Sequence, residues 1–332
     1  MSRLVIALGD PAGIGAEVCL RALGRLTRQR GPIDVLLVGC RRWLQATHRR
    51  LRPLIDGDFA DPDNLAMLDL PLAGEVEPGH PGALTGDASF RWLDAAVAAV
   101  QAGQGKALVT APIAKEHWHA AGHRLAGQTD RLAQLCDGAD AAMLFTAVSP
   151  HSGWRFNTLL ATTHIPLASV PSRLGPALVE RRLTQLDAFC ARFSPDPRLA
   201  VAGVNPHAGE AGVLGDDEQR WLTPLLEQWR RLHPGRRLLG PLPPDTCWLE
   251  AARAWHGIGA AAEAPDGTLA MYHDQGLIPV KLLAFDQAVN TTLGLPFLRT
   301  SPDHGTAFDL AGRGLARSAS MEAAIVTALD LG

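Results

Sequence analysis

Short apolar segments recur along the chain, and each has the length of a buried β-strand. They occupy residues 4–8, 34–39, 107–112, 141–148, 156–163, 199–205 and 268–273. Because these segments are mostly continuously apolar rather than alternating, they are typical of strands that are covered on both faces, as in a parallel sheet.

Longer segments with helical spacing of apolar residues lie between most of these strands. They predict helices at residues 15–28, 90–102, 171–193 and 216–232. Strands that alternate with helices indicate an α/β fold with a largely parallel sheet covered by helices. The proline- and glycine-rich residues 71–86 and the stretch 257–267 are predicted loops. A length of 332 residues suits two domains or one large α/β unit.

Composition and charge narrow the class of protein. The chain is 47% apolar with a net charge of -3, which is typical of a soluble protein and argues against nucleic acid as a partner. No apolar run approaches the roughly 18 residues of a membrane span, and the start shows no export signal. Five scattered cysteines without a CxxC pair predict reduced thiols in a cytoplasmic protein.

The residues that follow the predicted strands carry the candidate chemistry, since ligands of parallel sheets bind beyond the carboxyl ends of the strands. The first strand leads into "GDPAGIGAE" (9–17), a tight turn that is either structural or part of an active site. Three later strands end near His164, His207 and His273. Three imidazoles suit a catalytic metal, although hydrogen-bonded histidines at the rim of the sheet are the alternative on spacing alone.

Other charged groups also stand among apolar residues. Asp274 and Lys281 follow His273, and burying them is costly unless they are paired or bind something. Arg299 could clamp a carboxylate or phosphate, while the glycines of "DHGTAFDLAGRG" could admit a nucleotide; a glycine-rich loop with surface charges is the alternative. A polar helical segment carries His117, His119 and His123, which are predicted to be surface residues, with a nearby metal role as the alternative.

Seven motifs in order across the chain resemble the 4-hydroxythreonine-4-phosphate dehydrogenase family of pyridoxine biosynthesis. They are "GDPAGIG", "TAPIAKE", "TTHIPL", "NPHAGE", "GPLPPDT", "AMYHDQGLIPVK" and "NTTLGLPFLRTSPDHGTAFDLAGRG". The resemblance implies a two-domain isocitrate/isopropylmalate dehydrogenase-like fold with an active-site cleft between the domains. It also implies a homodimer with shared active sites. Residues 1–128 and 286–332 would form the NAD-side domain, and residues 129–285 the domain with the metal ligands and dimer contacts.

The resemblance also assigns residues to roles. It makes His164, His207 and His273 the ligands of a divalent metal, with His273 expected from the other subunit; three imidazoles favour zinc over cobalt, manganese or magnesium. The implied substrate-binding positions are Gln128, Thr129, Lys281, Asn290 and Arg299. Lys281, Asp274 and Asp245 are the candidate catalytic residues for moving a proton. The implied NAD loop comprises Asp303, His304, Gly305, Thr306, Ala307, Asp309 and Gly312, and Arg313 and Arg317 beside it leave NADP open.

The implied reaction is oxidation of a secondary alcohol β to a carboxylate by NAD, coupled to metal-assisted decarboxylation. One departure from the family bears on the substrate, because Gln128 in "GQTD" replaces the histidine of the usual "GHTE". A neutral amide cannot supply positive charge to a phosphate, so a terephthalate-type cis-dihydrodiol, which carries a carboxylate, is the first prediction. The alternatives are 4-phosphohydroxy-L-threonine and related phosphorylated hydroxy acids.

The second departure is a longer segment between Asp245 and His273, around residues 251–267, which is predicted to be a surface loop rather than part of the pocket. A non-catalytic regulator on the same scaffold would be favoured if a histidine ligand or Lys281 were missing. All four residues are present, so an enzyme is the preferred interpretation.

Overall fold

The computed structural model describes residues 3–125, 127–259 and 263–332. The chain divides into two compact units: Met1–Ala141 with Val289–Gly332, and Ala142–Ala288. The domain boundaries expected from the sequence, at residues 128 and 286, lie earlier along the chain than the observed boundaries at Ala141 and Val289. The first difference arises because the segment after residue 128 stays with the first unit, where Arg131 pairs with Asp94 at 2.6 Å.

Strands and helices alternate along most of the chain, and each is numbered here in chain order. The strands are β1 Leu4–Ala7, β2 Val35–Gly39, β3 Ala66–Asp69, β4 Ala107–Thr110, β5 Ala142–Val148, β6 Arg155–Leu160, β7 Arg198–Ala202, β8 Arg237–Leu242, β9 Gly267–Ala270, β10 Val289–Leu293 and β11 Leu298–Pro302. The α-helices are α1 Gly15–Arg30, α2 Arg41–Leu51, α3 Ala83–Gln101, α4 Lys115–Ala120, α5 Gln128–Leu135, α6 Val170–Arg173, α7 Pro176–Cys190, α8 Thr223–Leu232, α9 Leu249–Trp255, α10 His273–Ala284 and α11 Ala319–Leu331.

The first unit is built on strands in the order β3-β2-β1-β4-β11-β10. Neighbouring strands are parallel except for β10, which runs antiparallel to β11. Every residue of β1 and β4 is buried, and α3 and α11 pack against the strands. The carboxyl ends of the parallel strands therefore meet at one edge, where the loops that follow them begin.

The second unit has the order β5-β6-β9-β7-β8. Strands β6, β9, β7 and β8 are parallel, and β5 runs antiparallel to β6. Phe156, Trp255 and Leu277 belong to one buried cluster that joins β6, α9 and α10. This core fixes the start of α10 directly after β9.

The predicted α/β architecture is confirmed, and all seven apolar segments contain strands. Four strands were not predicted: β3, β8, β10 and β11. Strands β10 and β11 were missed because their sequences, "VNTTL" and "LRTSP", are polar although most of their residues are buried. The predicted helix 171–193 is two helices, α6 and α7, separated at Leu174 and Gly175. The predicted loop 251–267 begins inside α9, and its residues 260–262 lie outside the described residues.

Two further observations concern cysteines and membranes. All five cysteines are free and buried, and burial raises the pKa of the Cys19 thiol to about 12. Within residues 3–125, 127–259 and 263–332, no helix has both the length and the apolar character needed to cross a bilayer.

Candidate active site

The second unit gathers polar residues at the carboxyl ends of its four parallel strands. His164 follows β6, His273 follows β9, His207 follows β7 and Asp245 follows β8. Because these strands are consecutive neighbours in the sheet, the four residues follow strand ends on one side of the unit. We call this set the histidine edge.

His164 and His273 are the near pair of the histidine edge. Their ring centroids are 5.4 Å apart and the rings are tilted by 46°. Nδ1 of His273 lies 2.7 Å from Oδ1 of Asp274, an arrangement in which a carboxylate fixes the ring and leaves Nε2 as the donor for a metal. Asp274 is therefore better explained as an orienting group for His273 than as a group that carries a proton.

His207 lies in a backbone turn of unusual conformation. The five residues 207–211 of the turn Pro206–Gly212 all have positive φ, between 44° and 82°. A left-handed run of residues with a Cβ atom costs roughly 1–2 kcal/mol for each residue. The side chain of His207 is 61% exposed, and its Nδ1 lies 3.4 Å from Oε2 of Glu210. The turn therefore holds an exposed imidazole at a conformational cost.

The imidazole nitrogens of the histidine edge are ligands of the type that a divalent metal binds. Imidazole nitrogen suits zinc and similar ions, and a carboxylate behind the imidazole is the usual support for such a ligand. Across the described part of this single chain, no three histidine, cysteine, aspartate or glutamate side chains group closely enough to hold an ion. The assignment of His164, His207 and His273 as ligands, with His273 from a second subunit, stays a prediction.

Arg299 in the first unit is buried, and its guanidinium donates hydrogen bonds to three neighbouring side chains. Its Nε and Nη2 donate to Oγ1 of Thr110 at 3.0 and 2.6 Å, and Nη1 donates to Oγ1 of Thr292 at 3.2 Å. Nη2 also donates to Oε1 of Gln128. Burial lowers the pKa of Arg299 to about 10, so the guanidinium remains charged at neutral pH. Arg299, Thr110, Thr292 and Gln128 form what we call the Arg299 cluster.

Gln128 is the first residue of α5 and is used inside this cluster. Its Oε1 accepts from Thr110 at 2.8 Å and from Arg299, and its Nε2 donates to the carbonyl oxygen of Ala111 at 3.1 Å. A neutral amide suits this position because a second positive charge beside Arg299 would be repelled. The glutamine therefore has a structural explanation that does not require the loss of a phosphate ligand, since Arg299 already supplies positive charge.

The other predicted substrate positions are spread over three elements. Thr129 is the half-buried second residue of α5, and Asn290 lies on β10 opposite Ser301. Lys281 lies on α10 with Nζ 5.1 Å from the centre of the Phe285 ring. It is about 12 Å along the helix from His273, at 1.5 Å for each residue.

The predicted NAD loop, residues 303–312, packs on the glycine-rich turn after β1. Ile14 N donates to the carbonyl oxygen of Thr306 at 3.0 Å, and a Cβ atom at Gly13 would lie 2.9 Å from that oxygen. Here Gly13 serves a close approach between two backbone segments. Asp303 N donates to Ser320 Oγ at 3.1 Å, and Nδ1 of His304 lies 2.9 Å from the carbonyl oxygen of Gly305.

A buried carboxylate, Asp10, was not singled out from the sequence. It is fully buried directly after β1, and its Oδ1 accepts from Ala12 N at 2.9 Å while Oδ2 accepts from Thr85 Oγ1 at 3.4 Å. Burial raises its pKa, against the lowering effect of these hydrogen bonds. The available signal was an acidic residue in the turn that follows a strand that is apolar throughout.

Of the three histidines near α4 that were predicted to be surface residues, His117 and His123 are partly buried. His123 stacks on Phe90 with ring centroids 3.8 Å apart, and its Nε2 lies 3.0 Å from Asp87. His117 is half-buried, with its ring 5.6 Å from that of Phe308. Helix α4 packs against α3, two residues of which contact His123, whereas His119 is exposed.

Comparison with known proteins places this two-unit α/β chain, with its histidine edge, among the dehydrogenases. Residues 33–328 match the family model described as pyridoxal phosphate biosynthetic protein PdxA. The 4-hydroxythreonine-4-phosphate dehydrogenase of Synechococcus sp. (strain RCC307) is 63% identical over 332 residues, covering 100% of both chains. The chain therefore belongs to the PdxA family, and the predicted enzyme class is confirmed. Membership implies NAD and a divalent metal without identifying the metal.

Solved structures agree with this assignment. The crystal structure of 4-hydroxythreonine-4-phosphate dehydrogenase from Klebsiella pneumoniae is 37% identical and covers 100% of this chain and 99% of its own, with a TM-score of 0.82. A terephthalate 1,2-cis-dihydrodiol dehydrogenase from Burkholderia xenovorans LB400 is 29% identical over 99% of this chain and 98% of its own, with a TM-score of 0.67. The comparisons thus favour the alternative substrate over the dihydrodiol. The first prediction of a terephthalate-type dihydrodiol, and with it the breakdown of aromatic acids that such a substrate would imply, is corrected.

Proposed function

We propose that this protein oxidises 4-hydroxythreonine 4-phosphate with NAD and a divalent metal, forming a β-keto acid that loses CO₂. The observation that carries the proposal is the full-length 63% identity to a relative with that name. The positively charged Arg299 cluster supports it, because a phosphorylated substrate needs positive charge that Gln128 does not itself supply.

The histidine edge provides the donors that the metal requires. His164 and His207 would hold it together with His273 of the partner subunit, and Asp274 would keep the His273 ring in place. When bound, the metal would polarise the substrate hydroxyl and NAD would accept the hydride. Zinc is the ion that this donor set favours.

The proton of the substrate hydroxyl needs an acceptor from the protein. Asp245 is exposed at the end of β8 on the histidine edge, whereas Asp274 is engaged by His273. Lys281 is half-buried on α10 and carries its own positive charge toward an anionic substrate. We therefore assign acceptance of the proton to Asp245, and anion binding to Lys281, Thr129, Asn290 and Arg299.

The homodimer is supported by an exposed apolar face on α10 and on Phe285, the residue that follows the helix. Ile278, Leu282 and Phe285 are 59%, 79% and 62% exposed, and their spacing places them on one side of the helix. Because α10 begins at His273, a second copy on this face would lie beside the histidine that we assign to a shared site. Leu282→Asp should convert the dimer to monomer in analytical ultracentrifugation, and an unchanged dimer would remove α10 from the interface.

Substrate choice is tested by following NADH absorbance with purified protein and NAD. We expect turnover of 4-hydroxythreonine 4-phosphate, loss of turnover with chelator and recovery on adding zinc, cobalt or manganese. D-threonate 4-phosphate and the terephthalate cis-dihydrodiol serve as comparison substrates. Efficient turnover of the dihydrodiol without turnover of either phosphorylated acid would overturn the proposal and restore the original interpretation of Gln128.

A further inference from the structure

The left-handed turn 207–211 is held in place by a buried carboxylate that has no part in the proposed chemistry. Glu218 is 3% exposed and lies just before α8. Its Oε1 accepts from the backbone N–H groups of Val204 and Asn205 at 2.7 and 2.8 Å. Its Oε2 accepts from Nδ2 of Asn205 at 3.0 Å. One side chain thus fixes the two residues that lead into the turn.

The same carboxylate also lies against the middle of the turn. A Cβ atom added at Gly209, where φ is +82°, would stand 2.7 Å from Oε2 of Glu218 and 2.6 Å from the carbonyl oxygen of Gly215. Gly203 also lies close to the turn, since a Cβ atom added at Gly203 would be 3.0 Å from Cα of Ala208. The backbone after His207 therefore folds directly onto Glu218.

Asn205 extends this support to a second acidic residue. Its Nδ2 donates to Oδ2 of Asp217 at 3.1 Å as well as to Glu218. A glutamine at position 218 would keep the shape of the side chain, but its amide nitrogen or oxygen could not satisfy all three donors. Rotating the Asn205 amide to compensate would break the bond to Asp217. The support is thus specific for a carboxylate.

We propose that Glu218 is a positioning residue for His207, which it holds, through the left-handed turn, in the orientation required to bind a divalent first-row metal ion. The inference rests on the proposed function, in which His207 is a metal ligand. The turn explains why an exposed imidazole needs such a buried anchor: a left-handed run relaxes unless its surroundings hold it. Relaxation would move the imidazole away from the other ligands.

The test is zinc affinity of the full-length, metal-free protein, measured by competition with a chromophoric chelator. We expect Glu218→Gln to weaken zinc binding by about 10- to 100-fold, the range for groups that orient metal ligands. Gly209→Ala should weaken it similarly, since the added Cβ meets Glu218 and Gly215. Circular dichroism shows that each variant is folded, and either variant alone suffices if the other fails to fold.

Matched controls separate positioning from general damage. Glu227→Gln removes an exposed carboxylate from α8. Gly257→Ala changes another left-handed glycine (φ +69°) of the same unit, whose nearest neighbour to a new Cβ is Ser152 Cβ at 3.7 Å. Both controls should bind zinc within about twofold of the unsubstituted protein, as expected for sites away from such contacts.

A double-mutant cycle with His207→Ala shows whether Glu218 acts through that histidine. The inference requires that Glu218→Gln weakens binding no further once His207 is absent. Equal weakening in both backgrounds, or unchanged affinity of both the Glu218 and Gly209 variants, would overturn it while leaving the metal site intact. Failure of the unsubstituted protein to bind zinc would instead overturn the metal site of the proposed function, and the positioning role with it.

Discussion

The histidine edge of the second unit and the Arg299 cluster of the first unit are both built from residues predicted to meet ligands, yet they are in opposite physical states. His207 at the histidine edge has a 61% exposed side chain on a strained turn. Arg299 is 3% exposed, with hydrogen bonds from Nε, Nη1 and Nη2 to protein oxygens. The histidine edge presents an exposed imidazole that is available to bind a metal. In the Arg299 cluster, by contrast, most hydrogen-bond donors of the guanidinium already have protein partners.

This difference separates two ways in which a polar residue serves a site. An exposed metal-ligating side chain contributes little to stability and is available to bind an ion. Its loss should therefore appear in metal binding and turnover. A buried guanidinium that donates hydrogen bonds to protein oxygens is part of the fold, and its loss should appear first in stability. Family resemblance gives both His207 and Arg299 functional roles. Only the burial and the hydrogen-bond partners of each residue indicate whether its loss affects binding or stability first.

The largest expected effect concerns the histidine edge. His164→Ala or removal of metal by chelator should lower turnover by about a thousandfold or more, because polarisation of the substrate oxygen is worth several kcal/mol. Steady-state NADH formation measures this. His119→Ala, which changes an exposed histidine on α4, is the control and should leave turnover unchanged. Full activity of His164→Ala would remove the histidine edge from catalysis.

The next effect concerns the Arg299 cluster. Arg299→Met should lower the free energy of unfolding by about 3 kcal/mol, since the buried hydroxyl oxygens of Thr110 and Thr292 lose the donors that Arg299 supplies. Urea denaturation measures this, with Arg253→Met at an exposed site on α9 as the control. In the same assay His164→Ala should change stability by less than about 0.5 kcal/mol. Equal stability losses for Arg299 and His164 would erase the distinction between the two regions.

A smaller effect is expected for the group that supports His273. Asp274→Asn should weaken zinc binding by about 10- to 100-fold, because the carboxylate that fixes the ring through Nδ1 is replaced by a neutral amide. Competition with a chromophoric chelator measures the change. Asp286→Asn offers a comparison in the same unit, and weakening of equal size there would indicate a general charge effect instead of orientation of His273.

Much of the fold followed from the sequence because its central strands are continuously apolar. The polar strands β10 and β11 did not, since their burial depends on partners such as Thr110 that are distant along the chain. The histidines could be found because each follows a recognisable strand. The role of Gln128 could not be predicted, because its hydrogen-bond partner Arg299 lies 171 residues away along the chain. The role of Glu218 could not be predicted either, because the left-handed turn that it supports leaves no local sequence pattern.

The smallest expected effect is a pH dependence at Asp10. Burial raises its pKa above 3.8, so the native state binds this proton more tightly than the unfolded state. Its contribution to stability is most favourable below pH 3.8 and is lost as the pH rises through the native pKa. Asp10→Asn, which can keep the bond from Ala12, should therefore be more stable relative to the unsubstituted protein at pH 7 than at pH 3.5. Urea midpoints at the two pH values measure this, and a difference independent of pH would contradict it.

The central claim is that the histidine edge holds a catalytic metal, and the most direct measurement is anomalous scattering from crystals grown with zinc. We predict a peak about 2.0–2.1 Å from imidazole nitrogens of His164, His207 and His273 of the partner subunit, the usual zinc–nitrogen distance. A zinc peak held by other residues, or an ordered histidine edge without a peak in zinc-saturated crystals, would contradict the account.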